Sequence, residues 1–256
     1  MNKYIEKEVA IGNGDLREIW ISNHYTIIPA IFRNNHDICS VIIPNSINRI
    51  CNNAFSGCDE LTSVSLPDSL CSIGQSAFSR CRKLESITIP QNVTDIGSNA
   101  FGGCWALKSV TILGSVLPDF NFCRKISTII IGENLDIINL YAFDRSFAES
   151  KNIKSIIVDK NNKYYDSRNN CNAIIETKSD TLLLACNSTK IPEGIKHISS
   201  GAFWNCGRIK TLSLPGSLET IDRLPENVKK IIVPKGRKME FKKKLPWTRG
   251  IELVEK

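Results

Sequence analysis

The stretch "AFSGCDELTSVSLPDSL", which starts at Ala54, returns as "AFSRCRKLESITIPQNV" from Ala77 and as "AFGGCWALKSVTILGSV" from Ala100, each copy 23 residues after the last. A unit this short cannot enclose a core of its own. It buries its apolar groups only against the copies on either side, so the chain must stack its units in a row.

Aligned columns give the unit its shape. Phe32, Phe55, Phe78 and Phe101 are 23 apart, as are Ile27, Ile50, Ile73 and Ile96. Pro44, Pro67 and Pro90 share one position; Cys58, Cys81 and Cys104 share another; Leu61, Leu84 and Leu107 follow, with Ile38 before them. In "LTSVSLP", Val64 and Leu66 alternate with Ser63 and Ser65, so one pair faces inward and the other outward from a strand. Pro67 ends that strand because it has no N–H for a ladder bond. Fixed Leu/Ile positions at this period read as a leucine-rich repeat solenoid. The expected fold is therefore an α/β repeat, horseshoe-like, with a parallel β-sheet on one face and loops or short helical turns on the other.

Later copies are irregular. Ile126, Ile129 and Ile131 lead to Leu135, Ile138 and Phe143; Ile153, Ile156 and Val158 start another strand; Ile191, Ile195, Ile198, Phe203 and Cys206 restore the pattern. Leu212, Leu214, Ile231 and Val233 follow, and the steps from Leu107 to Ile126 and from Leu212 to Ile231 are 19 residues, four short. One solenoid domain over 1–256 is expected: an N-terminal β-hairpin cap over 1–26, repeats over 27–234, and a C-terminal cap over 235–256. The cap hairpin would turn at Gly12-Asn13-Gly14. An insert at 160–190 contains "AIIET" and "TLLLACN" around Lys178-Ser179-Asp180, a hairpin whose count places Cys171 nearly opposite Cys186, where a disulfide could form. Asp166, Asn169, Asn170 and Asn172 in the same insert suit turn-forming hydrogen bonds better than a cation. In "RKMEFKKKLPW" Phe241 and Leu245 would share the inner face of a short helix, with Trp247 covering the last coil.

Reactive chemistry finds no anchor. Ten cysteines include no C-x-x-C pair, so the usual zinc spacing is missing. The columnar cysteines and Cys206 read as small buried hydrophobes; Cys39, Cys51, Cys71 and Cys123 fall off the column. His36 precedes Cys39 by three residues, but no orienting acid is evident. No Walker loop, G-x-S-x-G or H-E-x-x-H occurs, and acids do not pair at repeated positions. No enzyme activity, cofactor or metal is expected.

The solvent side of the sheet is the surface that recurs. One column reads Ser40, Ser63, Ser86, Ser109, Thr128, Ser155, Thr211 and Lys230; the next reads Ile42, Ser65, Thr88, Thr111, Ile130, Ile157, Ser213 and Ile232. Small hydroxyls and β-branched residues fit neighbouring strands for structural reasons alone. They also make a shallow polar strip for a protein or glycan, with an apolar spot at Ile130 and Ile157. Trp105 and Trp204 lie beside column cysteines, either as binding anchors or as cover for the core.

Charge is concentrated at one end. The chain carries +7, yet Lys229–Arg249 alone holds nine Lys/Arg against Glu240. Lys229, Lys230, Lys235, Arg237, Lys238, Lys242, Lys243 and Lys244 would form either a solvated face or a site for anionic partners. The remainder is near neutral, unlike the footprint of a nucleic-acid binder. No apolar run is long enough to span a bilayer as a helix, and no signal-peptide core is visible at the start.

The wording "SVSLPDSLCSIGQSAFSRC" and "SITIPQNVTDIGSNAFGGC" resembles the BspA-like leucine-rich repeat family of bacterial surface proteins, from about Ile27 to Pro234. "KYYDSRNNCNAIIETKSDTLLLACNSTKIPEGI" resembles the hairpin-bearing repeat of Bacteroides-type members, and "VPKGRKMEFKKKLPW" their closing segment. The resemblance implies an adhesion module at the cell surface or secreted, contacting host or bacterial proteins or glycans; the lack of a reactive constellation makes it non-enzymatic, and a monomer is expected. The alternative, drawn from the residues, is a cytoplasmic interaction scaffold that uses the basic C-terminal segment.

Overall fold

The computed structural model describes residues 2–11, 15–136, 146–147, 149–245 and 250–256. The chain winds as a β-solenoid with two stacks of parallel strands. On the main sheet Ser86–Ile89, Ser109–Ile112, Thr128–Ile131 and Ser155–Val158 pair in register. A second stack holds the two-residue strands Ile27–Ile28, Arg49–Ile50, Ser72–Ile73 and Asp95–Ile96. Turns make up most of each remaining coil. The expected repeat solenoid with a parallel sheet on one face is what forms, and among the described residues helix is confined to short pieces, the longest being Lys238–Lys244. A strand, a second short strand and a tight turn already use the 23 residues, which leaves no length for a return helix.

Ring stacking runs along the axis. Successive centroids of Phe32, Phe55, Phe78 and Phe101 lie 5.2, 5.3 and 5.4 Å apart with nearly parallel planes. The ladder then continues to Phe120 at 5.8 Å and to Phe147 at a further 5.5 Å. Phe143, expected in that role, lies outside the described residues, as does Ile138. The four residues missing from the coil between Ser109 and Thr128 return in the next: Thr128 pairs with Ser155, 27 residues on. At the first coil the inward residue is Ile28 rather than Ile27. Ile28 pairs with Ile50 and is buried, whereas Ile27 is exposed, so that coil is offset by one residue.

Close approach between coils explains the glycine in "DIGS". A Cβ on Gly97 would stand 2.3 Å from the backbone nitrogen of Gln75.

The insert is a partition within the core. Ala173–Glu176 and Thr181–Ala185 form the expected antiparallel hairpin. The first strand lies beside Ser155–Val158, and the second pairs in parallel with His197–Ile198. Ile174, Leu183, Leu184 and Cys186 pack into the core of the preceding coils. Ala173, Ile175, Leu182 and Ala185 pack into the core of the following ones. A strand buried on both faces has to be apolar at successive positions, which is why "TLLLAC" has no polar alternation. The bulge that skips Leu183 lets two consecutive leucines face the same side.

This geometry removes the disulfide. Cys171 and Cys186 are free thiols in different core clusters. Cys171 sits by the Ser167 hydroxyl and Cys186 by that of Ser188. Asn172 acts as a clamp: its amide oxygen accepts from the Ile156 N–H and its nitrogen donates to the Lys154 carbonyl. Arg168 braces the hairpin through Asp166 at 2.7 Å and Asp180 at 2.8 Å, and Lys196 joins at 3.1 Å.

Both ends are covered. Ile5–Ile11 runs antiparallel to Leu16–Ile21, which is itself the first rung of the parallel sheet. The expected Gly12-Asn13-Gly14 turn lies outside the described residues. At the other end the helix Lys238–Lys244 buries Phe241, and Leu245 follows it inward; Trp247 is outside the described residues. A strand not anticipated from the sequence, Glu252–Glu255, then pairs with Lys230–Val233 and closes the sheet.

Candidate binding surface

The sheet builds the expected columns residue by residue. Ser40 pairs with Ser63, and Ser86, Ser109, Thr128 and Ser155 stand in one row. Ile42 pairs with Ser65, and Thr88, Thr111, Ile130 and Ile157 stand in the next. Each side chain is exposed or half-buried, because its neighbours at the alternate positions, such as Ile87, Val110, Ile129 and Ile156, face the core. The Ser63 hydroxyl donates to that of Ser40 at 3.1 Å, so part of the strip serves coil-to-coil bonding.

The partition hairpin interrupts these columns. Thr211, Lys230 and Glu252 form a separate run, paired among themselves beyond the insert. At the break, Ile157 is 50% exposed and borders a hollow of about 340 Å³ with Ser155, Ser167, Asn170 and Asn172. Ile130, one coil back, is half-buried. The paired strip therefore runs from Ser86 to a notch at Ile157, a boundary that strand alternation alone did not mark, with the Ser40–Ser63 pair on the coils before it.

The basic segment divides into structural and free cations. Arg237 pairs with Glu240 at 2.5 Å and donates to the Gly216 carbonyl. Lys244 pairs with Glu240 at 2.8 Å and donates to the Leu218 carbonyl. These two cations hold the Glu240 carboxyl down to about 2, Arg237 having the larger effect. Lys230 reaches Glu252 at 3.5 Å. Lys229, Lys235, Lys242 and Lys243 remain exposed, with Lys238 half-buried.

The cysteine column is longer than the 23-residue grid suggested. Each thiol donates to the carbonyl of the ladder phenylalanine one coil back: Cys58 to Phe32 at 3.0 Å, Cys81 to Phe55 at 3.2 Å and Cys104 to Phe78 at 3.3 Å. Cys123, expected off the column, makes the same bond to Phe101 at 3.2 Å. Ser150 takes the position in the next coil, its hydroxyl donating to the Cys123 carbonyl. Burial pushes the Cys58 and Cys206 thiols up to about 12 and the Cys81 thiol well above its ordinary value. Cys104 is raised by its bond with Cys123 and then by burial. Such thiols are poor nucleophiles.

His36 does have an acid partner, but not in a cysteine dyad. Its Nδ1 lies 2.5 Å from Asp59 in the following coil, on the open surface, while the Cys39 thiol donates to the Arg17 carbonyl. Among the described residues no three His, Cys, Asp or Glu side chains converge on a metal site. Trp105 and Trp204 are about half exposed, so neither is core cover. No helix of the described residues is long and apolar enough to cross a membrane.

Comparison with known proteins matches this architecture. The model of the BspA type leucine rich repeat region matches in six copies over residues 3–118, 118–183 and 175–232. No curated protein matches the sequence. Among solved structures, a leucine-rich repeat protein from Eubacterium ventriosum aligns with 96% of this chain at 17% identity and a TM-score of 0.54. This chain spans 64% of that protein, less than two thirds of its length. The pneumococcal vaccine antigen PcpA aligns with 98% of this chain at 16% identity and a TM-score of 0.53, and 78% of it is covered. At these identities the structural likeness concerns the fold, whereas the repeat model reads the residues themselves. With that model matching residues 3–232, on a chain that folds as stacked repeat coils, the chain belongs to the BspA-type leucine-rich repeat family.

Proposed function

We propose that this chain is a non-enzymatic binding module of a bacterial surface or secreted protein, contacting a protein or glycan ligand through the sheet face. The observation that supports it best is the in-register strip of Ser86, Thr88, Ser109, Thr111 and Thr128, ending at the exposed Ile157 beside its notch. Hydroxyls give adaptable hydrogen bonding, and the isoleucine edge supplies apolar area that a partner can cover. Membership of a repeat family built to present extended surfaces supports the same reading.

The test is a pull-down with the chain as bait against host matrix extract and bacterial cytosol, each at low and high salt. The bait is compared with an Ile157→Lys/Thr111→Lys variant. Salt-resistant capture of a matrix component by the wild type, lost in the variant, is the expected outcome. Equal capture by both would remove the sheet face from the reading.

The exposed Lys229, Lys235, Lys242 and Lys243 favour a second reading, a scaffold for anionic partners. Its test is Lys242→Glu/Lys243→Glu, which leaves the cap contacts of Arg237 and Lys244 in place. Cytosolic capture that is abolished by this variant and by high salt would select the scaffold.

A further inference from the structure

The turns that carry the cysteine column form a ridge, and one place on it is built differently. The residue before each column cysteine has left-handed backbone: Gly57 at φ +75°, Arg80 at +61°, Gly103 at +74° and Phe122 at +64°. Asn34, one coil earlier, has φ +57°. Glycine and asparagine are the ordinary occupants of such a position; a bulky side chain there is strained. The chain nevertheless places Arg80 and Phe122 there, on the two coils that flank Gly103.

Those two side chains wall a hollow of about 530 Å³ over Gly102 and Gly103. Trp105 and Phe122 line it and are 53% and 52% exposed. Arg80, Arg82, Arg124 and Lys125 also line it, with Ser79 and Asn99. The Arg82 guanidinium lies 4.6 Å from the centre of the Trp105 ring. Arg124 pairs with Glu149 at 2.9 Å; among the described residues no carboxylate lies within 4 Å of Arg80, Arg82 or Lys125. Two half-exposed aromatic rings, one face of Trp105 stacked by Arg82, and the cations Arg80 and Lys125, which pair with no carboxylate among the described residues, thus converge where backbone strain is held.

We propose that this hollow binds the end of an oligosaccharide that carries carboxylated sugar rings. Flat apolar ring faces pack on Phe122 and on the face of Trp105 that Arg82 leaves uncovered, the negative π-faces attracting polarised C–H groups. The guanidiniums present paired donors that match a carboxylate. A volume of this size suits two or three rings.

Two other partner classes fit less well. A peptide docks largely by backbone hydrogen bonding, and the ridge backbone is already engaged: the Arg80 N–H donates to the Gly102 carbonyl and the Gly103 N–H to the Asn121 carbonyl. A nucleic acid needs an extended cationic track, and here Glu149 interrupts the cations, pairing with Arg124.

The inference rests on the binding-module reading but uses a different face. Its test is calorimetric titration of the purified chain with trigalacturonate and 3′-sialyllactose, two sources of the same carboxylated ring. Maltotriose, an oligothymidylate and hexaglutamate are titrated alongside. Saturable binding of an acidic sugar, at least about tenfold tighter than maltotriose and about tenfold weaker in Trp105→Ala, is expected, with Trp204→Ala unchanged. Arg80→Gln/Lys125→Gln, both exposed side chains, decides the matter if Trp105→Ala loses its cooperative melt. No saturable binding of either acidic sugar, equal binding of maltotriose, tighter binding of the oligothymidylate or hexaglutamate, or wild-type affinity in the ridge variants would overturn the proposal. Failure here with sheet-dependent matrix capture intact would sink the hollow and leave the binding-module reading standing.

Discussion

The Cys123 thiol donates to the carbonyl oxygen of Phe101 across 3.2 Å, one coil along from the bond that joins Cys104 to Phe78. The column thus crosses the shortened coil unbroken, and its thiols are spent on coil-to-coil bonding. Thiolate is the reactive form, and the raised pKa values of Cys58, Cys81 and Cys104 withhold it at neutral and mildly alkaline pH. Iodoacetamide at pH 8 is therefore expected to label the exposed Cys71 first and to leave Cys58, Cys81 and Cys104 unlabelled until the chain unfolds. Peptide mass spectrometry across a urea series checks this; labelling of the column at the rate of Cys71 in the native state would contradict it.

Two phenylalanines should respond oppositely to removal. Phe78 is wholly buried between Phe55 and Phe101, so Phe78→Ala is expected to cost about 3–5 kcal/mol. Phe122 is exposed and held at φ +64°, so Phe122→Gly relieves strain and is expected to stabilise the chain by about 1 kcal/mol. Urea denaturation curves of the two variants give both signs directly.

Gly97→Ala tests coil spacing. Its new methyl group meets backbone rather than a movable side chain, and the coils must separate locally. A loss of about 1–3 kcal/mol is expected. A neutral result would mean that the neighbouring turn shifts freely.

Acid should loosen the partition hairpin. Hydrogen bonding from Arg168, and then from Lys196, holds the Asp180 carboxyl below its usual range. Its folded pKa is lower than its unfolded one, so its contribution is fully present above the ordinary carboxylate value of about 4 and is lost as pH falls through the lowered value. Thermal melts from pH 6 downward are expected to show the wild type converging on Asp180→Asn as acidity rises. A constant difference between them at all pH values would show that the carboxylate has no such role.

The repeat, its strand register and its outward-facing columns were legible because 23-residue spacing survives from the first coils into the fourth. Phe120 and Cys123 were missed because a four-residue deletion moved both off that grid. Their local F-x-x-C spacing, the same as in Phe101 and Cys104, was the signal that could have found them. The partition was half legible. Two strands around a turn identify a hairpin, but the run "TLLLAC" should also have announced a strand covered on both sides. Opposite facing then separates Cys171 from Cys186. The ridge hollow could not be read in advance, because it depends on backbone conformation at Arg80 and Phe122 that their residue types disfavour.

The partition also bears on how such a chain can change length. Coils before it and coils after it touch different faces of one hairpin, and each set keeps a core that ends there. A coil gained or lost on one side leaves the packing of the other side untouched. The hairpin is thus a natural splice point, at which two arrays with separate histories can be joined without either having to be rebuilt.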